Sequence, residues 1–224
     1  MQEGSKTICR VKGRDCILRT VFVFFLFQLS IVNCQLSMAQ TPKELLDEVV
    51  KKAFAEGCVA IDFSVYMDEQ SSQGHITVQG RQFVLETPGM KTWFDGKTQW
   101  TLVEENEEVN VSEPTEEELQ SLNPYAWMSL YEQGYDLKYG ETGVPDVRKI
   151  IMTTTVPREE MQSIVLLIHQ TKLYPVRLSM ASRGGLDVVV IDIKRYEVKQ
   201  QPLPATAFVF DKSQYPGVEV IDLR

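Results

Sequence analysis

Side chains able to do chemistry are few in this 224-residue chain, and none has a partner at a catalytic spacing. Its two histidines, His75 and His169, each fall in a predicted strand and are far apart in sequence. Neither stands at metal-ligand spacing from a second ligand, and the sequence holds no Gly-x-Ser-x-Gly elbow, Cys-x-x-Cys pair or glycine-rich phosphate loop. Cys58 opens an apolar run with no histidine beside it, so it reads as a small buried hydrophobe rather than a nucleophile. Asp62 and Asp192 are of a type that serves acid–base work, but each sits alone among alternating residues, as the polar side of a strand does. The acids of Glu104–Glu108 lack the spaced Asp/Asn/Gly pattern of a calcium loop. The expectation is a binding protein without catalytic residues, metal or cofactor.

Charge narrows the partners. The first 39 residues carry five of the 23 Lys/Arg and two of the 31 Asp/Glu, which leaves 18 basic and 29 acidic residues in the remainder, net −11. Such a surface repels nucleic acid, whose binding depends on clustered Lys and Arg. The N-terminal segment itself reads as an export signal: Lys6, Arg10, Lys12, Arg14 and Arg19 precede the apolar run 21–32, which is short of the roughly 20 residues that span a bilayer. Ser37-Met38-Ala39 then places small residues for cleavage before Gln40. Lipid anchoring at Cys34 is the alternative, but Ile31-Val32-Asn33 lacks the small residue such processing wants. Cleavage removes Cys9, Cys16 and Cys34, so the core of residues 40–224, one expected domain and an expected monomer, has no intramolecular disulfide to rely on.

The elements that follow alternate in period. Thr41-Pro42 with Glu44 is a capping box opening a helix to Phe54, whose apolar face is Leu45, Leu46, Val49, Val50 and Phe54. From Cys58 the period becomes two, predicting a strand to Met67, a turn at Ser71–Gly74 and a returning strand from His75 to Glu86. In that second strand Ile76 and Val78 have one parity, Phe83 and Leu85 the other, and a bulge at Gly80 is expected to switch the faces. Short strands at 91–94, 99–104 and 109–112 surround an Asp95-Gly96 hairpin turn. Pro114-Thr115 followed by three glutamates starts a helical stretch interrupted at Asn123-Pro124 and stopped at Gly134. Five more strands are predicted at 135–139, 148–156, 163–171, 175–180 and 186–199, then a short one at 207–210 and a tail turning at Tyr215-Pro216-Gly217. The sum is α+β: one curled antiparallel sheet with helices gathered on one side.

Apolar and aromatic supply is the feature left over. Trp93, Phe94, Trp100, Tyr125 and Trp127 fall around the hairpin and the middle helices. A curled sheet under helices has either a filled interior or a cavity, and the residues alone leave both open.

The run Phe94-Asp95-Gly96-Lys97-Thr98-Gln99-Trp100, followed by a strand, an acidic turn, Val109-Asn110-Val111 and a helix, resembles the periplasmic outer-membrane lipoprotein carriers, the LolA-like family. The order of elements matches over most of residues 40–224. The resemblance implies an incomplete (half) β-barrel whose concave face is covered by the N-terminal helix and central lid helices. It also implies an apolar cavity that takes the acyl chains of lipoproteins from an inner-membrane exporter and delivers them to an outer-membrane acceptor. Carried over by position, the cavity residues are Phe63, Val65, Phe83, Leu85, Trp93 and Trp100, and the lid residues are Leu119, Leu122, Trp127 and Leu130. Where the family places an arginine before the proline of the turn, this chain has Thr87 before Pro88, and Arg81 is six residues too early to replace it. The alternative is a non-enzymatic envelope module that binds or senses protein with a filled sheet.

Overall fold

The computed structural model describes residues 40–115, 118–119, 130–132, 134–156, 161–182 and 188–224. Helix α1 (Pro42–Ala55) begins as its sequence demands: Thr41 Oγ accepts from the Glu44 amide, and the Glu44 carboxylate accepts from the Thr41 amide at 2.7 Å. It ends at Glu56, and Gly57 supplies the positive φ that turns the chain into the sheet.

Twelve strands form one open, curled sheet. They are β1 (Cys58–Met67), β2 (Gln70–Gln79), β3 (Gln82–Thr87), β4 (Met90–Phe94), β5 (Gln99–Val103), β6 (Glu108–Ser112), β7 (Tyr135–Gly140), β8 (Val147–Thr154), β9 (Met161–His169), β10 (Tyr174–Ser182), β11 (Val188–Val198) and β12 (Glu219–Asp222). Their order across the sheet is β12-β6-β5-β4-β3-β2-β1-β11-β10-β9-β8-β7. Every pairing is antiparallel except β12 on β6. The β1–β11 pair brings the two halves of the chain together at mid-sheet.

Three sequence expectations are corrected. The first hairpin turns at Asp68-Glu69, with Asp68 at φ +52, and residues 71–74 lie inside β2. The expected strand from His75 to Glu86 is two strands, joined by a turn at Gly80-Arg81. The strand expected at 207–210 is not formed: residues 205–208 make a 3₁₀ turn and 209–210 are irregular, and the tail adds β12 instead. Gly80 switches the parity by reversing the chain, not by a bulge: Val78 pairs Phe83 and Ile76 pairs Leu85, all on one face.

That face is the inner one, the side on which α1 lies. Leu45, Leu46 and Val49 of α1 are almost wholly buried against Ile150, Met152, Ile164, Leu166, Ile168, Leu178 and Met180. At ~1.5–3 kcal/mol for each fully buried aliphatic side chain, this contact is what holds the helix. One α-helix is present among the described residues, and the start of a second is marked by Thr115 and Glu118, which cap each other as α1 is capped.

Tyr131, in the 3₁₀ turn Leu130–Glu132, is tied to α1. Its hydroxyl donates to Asp47, and Lys43 pairs with Asp47 at 3.0 Å while lying 5.3 Å from the Tyr131 ring centre. The tyrosine hydrogen bond, then Lys43, hold the Asp47 carboxyl below its ordinary value of 3.8. A depressed folded-state pKa contributes stability that is present above about pH 4 and is lost as the pH falls through the folded value. Tyr131→Phe is therefore expected to lower the urea midpoint at neutral pH. The gap to the wild type should narrow on acidification, and a gap independent of pH would mean that Asp47 has no part in it.

Candidate apolar site on the inner face

Strand pairing lays the inner face out in cross-sheet rows. One row runs Val59, Val78, Phe83, Phe94, Gln99, Ser112 across β1, β2, β3, β4, β5 and β6. The next runs Ile61, Ile76, Leu85, Thr92, Thr101, Asn110. Both are apolar over β1–β3 and polar over β5–β6. Ile61, Ile76 and Phe83 are closed off from solvent, and Leu119 from the incipient helix packs on them as part of one cluster.

Beyond this sealed part the inner face opens. Phe63, Val65 and Met67 of β1 pair with Ile193, Ile191 and Val189 of β11. All are half-buried except Met67, which is 50% exposed. These six side chains form an accessible apolar strip between the α1 cluster and the β1–β3 cluster. A bulge between Asp62 and Phe63 keeps β11 in register at this point, leaving Lys194 as the extra residue.

Phe63 is held by its neighbour. It pairs with Gly74, and its ring covers that glycine so closely that a Cβ there would overlap the ring tip. Gly74→Ala is accordingly expected to turn the Phe63 ring and lower the unfolding free energy by about 1 kcal/mol, read by urea titration. An unchanged midpoint would mean that the ring yields freely.

The residues expected to line one cavity do not all share a surface. Phe63, Val65, Phe83 and Leu85 lie on the inner face. Trp93 and Trp100 pair with each other on the outer face, in the row Val84, Trp93, Trp100, Val111. There the chain after β11 covers them: Phe208 is fully buried among Val84, Trp93, Leu102, Val109 and Val111, and Phe210 and Tyr215 meet Trp93 edge-on at 5.5 and 5.7 Å. Strand alternation forces the split, because the pairs Phe94–Gln99 and Trp93–Trp100 occupy opposite sides of one hairpin. Of the expected lid residues, Leu119 reaches the inner face, Leu122 and Trp127 lie outside the described residues, and Leu130 falls in the 3₁₀ turn beside Tyr131. Thr87 closes the turn at Pro88-Gly89, its hydroxyl 3.5 Å from the Met90 carbonyl.

Sequence reasoning missed the accessible strip: Met67, Val189, Ile191 and Ile193 have the right parity, but only the β1–β11 pairing puts them beside Phe63 and Val65. Chemistry elsewhere is sparse. Burial pushes the Cys58 thiol up, away from a reactive thiolate. His75 lies on the outer face with Nδ1 2.5 Å from Asp62 and Nε2 3.2 Å from Thr77, both ring nitrogens engaged in cross-strand or same-strand ties. No group of three His, Cys, Asp or Glu among the described residues is placed to hold a metal. None of the described helices is long and apolar enough to cross a membrane.

A family model described as outer membrane lipoprotein carrier protein LolA matches residues 34–184. The chain belongs to that family. Three solved structures show how this LolA-family chain compares in space. An uncharacterised conserved protein of Thermus thermophilus is 15% identical, with 80% of this chain and 98% of that one covered at a TM-score of 0.57, a likeness of fold alone. A LolA superfamily protein of Nitrosomonas europaea is 11% identical over 77% and 99% of the two chains, at 0.42. A chain of the MucA/MucB complex of Pseudomonas aeruginosa is 12% identical over 75% and 60%, also at 0.42. No curated protein matches. The family match ends before β11, so half of the accessible strip and the segment over Trp93 lie outside it.

Proposed function

We propose that this LolA-family chain is an exported, non-enzymatic carrier that receives the acyl chains of lipoproteins on the inner face and moves them from the inner to the outer membrane. The observation that carries it is the open apolar strip of β1 and β11, continuous with a sealed apolar floor. Acyl chains need no directional bonds: ~25 cal/mol per Å² of buried apolar surface holds them, and the same weakness lets them leave. Residues 40–224 act as the carrier after removal of the signal peptide, as a monomer in the periplasm. The partners are an inner-membrane exporter and an outer-membrane acceptor. Phe63, Val65, Phe83 and Leu85 serve the ligand surface, and Leu119, Leu122, Trp127 and Leu130 belong to its cover. With Thr87 where the family's arginine stands, the cover is held without that group.

Native mass spectrometry of gently purified protein, with lipid extraction, tests the reading. Co-purifying diacyl or triacyl species support it. A lipid-free protein that also refuses acylated peptide ends it.

A second reading, an envelope module that binds protein, draws on the outer face. Ile151, Val165, Val190 and Tyr66 fall in one row interrupted only by Ser179, and Tyr66 is 39% exposed. A protein partner retained in the same spectra, with no lipid, favours it.

A further inference from the structure

β2 is longer than its neighbour β3, and the excess leaves a bare edge within the sheet. All of Gln70–Gln79 pairs with β1, without a bulge, but β3 pairs only with residues 75–79. From Gln70 to Gly74 the strand therefore has no strand on its β3 side among the described residues, and Gln70, Ser71, Ser72 and Gln73 are exposed. Parity says what that edge offers. In an antiparallel ladder alternate residues turn both N–H and C=O to the same side, and the pair closing a two-residue turn is a bonded one. Met67–Gln70 closes the first turn and Gln79–Gln82 the second, so the even-numbered residues of β2 bond to β1 and the odd-numbered ones face β3. Ser71 and Gln73 consequently each present an N–H and a C=O to the bare side.

Exposed edges are normally blunted by charge, proline or a bulge. The end strands follow this rule: β7 carries Asp136 and Lys138, and β12 carries Glu219 and Asp222. Gln-Ser-Ser-Gln-Gly at 70–74 has none of these devices. The space beside it is open. Gln73 and Gly74 on one side, and Thr87 and Pro88 on the other, line the same cavity of about 590 Å³. On the inner face the edge is continuous with the apolar strip, because Ser72 pairs with Val65 and Gly74 with Phe63, whose ring lies over the glycine. Two small residues are all that stands between the edge and those apolar side chains.

We propose that this edge takes the peptide part of an acylated cargo as an added strand. Main-chain bonds to Ser71 and Gln73 recognise an extended backbone of any sequence, as strand addition does. At about 4.8 Å per strand, Phe63 and Val65 lie about 10 Å from the added backbone, within reach of an acyl chain that crosses Ser72 and Gly74. The inference rests on the carrier reading and names its substrate class: acylated peptides are preferred to free lipids of the same chain length.

An N-dodecanoyl tetrapeptide amide of serine and alanine tests this against N-methyldodecanamide, which has the same chain and no peptide. Binding to the purified wild-type protein is measured by displacement of a fluorescent fatty acid. The acylated peptide is expected to bind about tenfold tighter. Two further peptides carry N-methyl groups on the first and third residues, or on the second and fourth. A strand offers alternate N–H groups to its neighbour, so one of these peptides should lose the gain and the other keep it. Gln73→Pro removes an N–H that β1 does not use, which an edge tolerates. It should abolish the gain and leave the affinity for N-methyldodecanamide unchanged, with folding checked by circular dichroism. Equal binding of peptide and plain amide by the wild type overturns the inference while the carrier reading stands. Loss of the gain with both N-methyl patterns, or with neither, overturns it too and needs no variant to interpret. A gain that survives in folded Gln73→Pro does the same. Failure of every dodecyl probe to bind defeats the carrier reading, and this inference with it.

Discussion

Replacing Phe208 by alanine is expected to lower the free energy of unfolding by about 3–5 kcal/mol. Phe208 is fully buried on the outer face, yet it comes from an irregular segment with little backbone pairing of its own. Two Gln79 side-chain bonds hold the segment at Leu203, at 2.8 and 3.1 Å, and β12 holds it again on the β6 edge. Between those ties Phe208 is the residue that fills the space among Val84, Trp93, Leu102, Val109 and Val111. Those five neighbours are each fixed in a strand and cannot move in to fill the gap. Trp93 should become wetter in the same variant, so urea unfolding followed by tryptophan fluorescence reads both effects. Leu203→Ala, at a side chain 37% exposed, is the control and should stay within about 0.5 kcal/mol. A Phe208 loss of less than about 1 kcal/mol would mean that the segment is not anchored by this ring.

Local signals in the sequence were legible where the chain itself satisfies them. The Thr41–Glu44 capping box, the Asp95-Gly96 turn, whose Asp95 carboxylate accepts from the Lys97 and Thr98 amides, and the alternation along β1 need nothing from afar. Gly80 was visible as a discontinuity but not as a reversal, because a bulge and a two-residue turn leave the same parity change in a one-dimensional pattern. The two tryptophans show the opposite limit. Apolar residues alternate cleanly along β4 and β5, but alternation says only that Trp93 and Phe94 face opposite ways, not which way is inward. That choice is made by Phe208, more than a hundred residues later, which buries the tryptophan side and leaves Gln99, Thr101 and Ser112 on the other. The apolar side of the sheet therefore changes between β3 and β5, and with it the expected cavity set divides. The resemblance supplied the order of elements and the family. It did not supply the accessible strip, half of which lies beyond the family match.

Consecutive residues of β1 give the sharpest functional contrast. Val65 is half-buried on the inner face, between Phe63 and Met67 along the strand and opposite Ile191. Tyr66 points to the outer face, where Lys194 lies 5.7 Å from its ring centre. Val65→Asp is expected to weaken binding of a dodecyl amphiphile by about 10–100-fold, because hydrocarbon laid on the strip must strip water from a carboxylate. The site's partial exposure keeps the effect from being larger and also keeps the fold: Val65 borders the sealed clusters rather than sitting inside them. Tyr66→Asp introduces the same charge one residue away and should leave affinity within about twofold. The added charge and the strand are thus matched, and the side of the sheet is the main difference between the two variants. Circular dichroism melting of both variants separates unfolding from loss of affinity. If the two variants bind alike while folded, the strip is not where the chain lies. If Tyr66→Asp alone loses ligand, the apolar row of Ile151, Val165 and Val190 on the outer face becomes the binding surface, and the inner face is only the core that supports it.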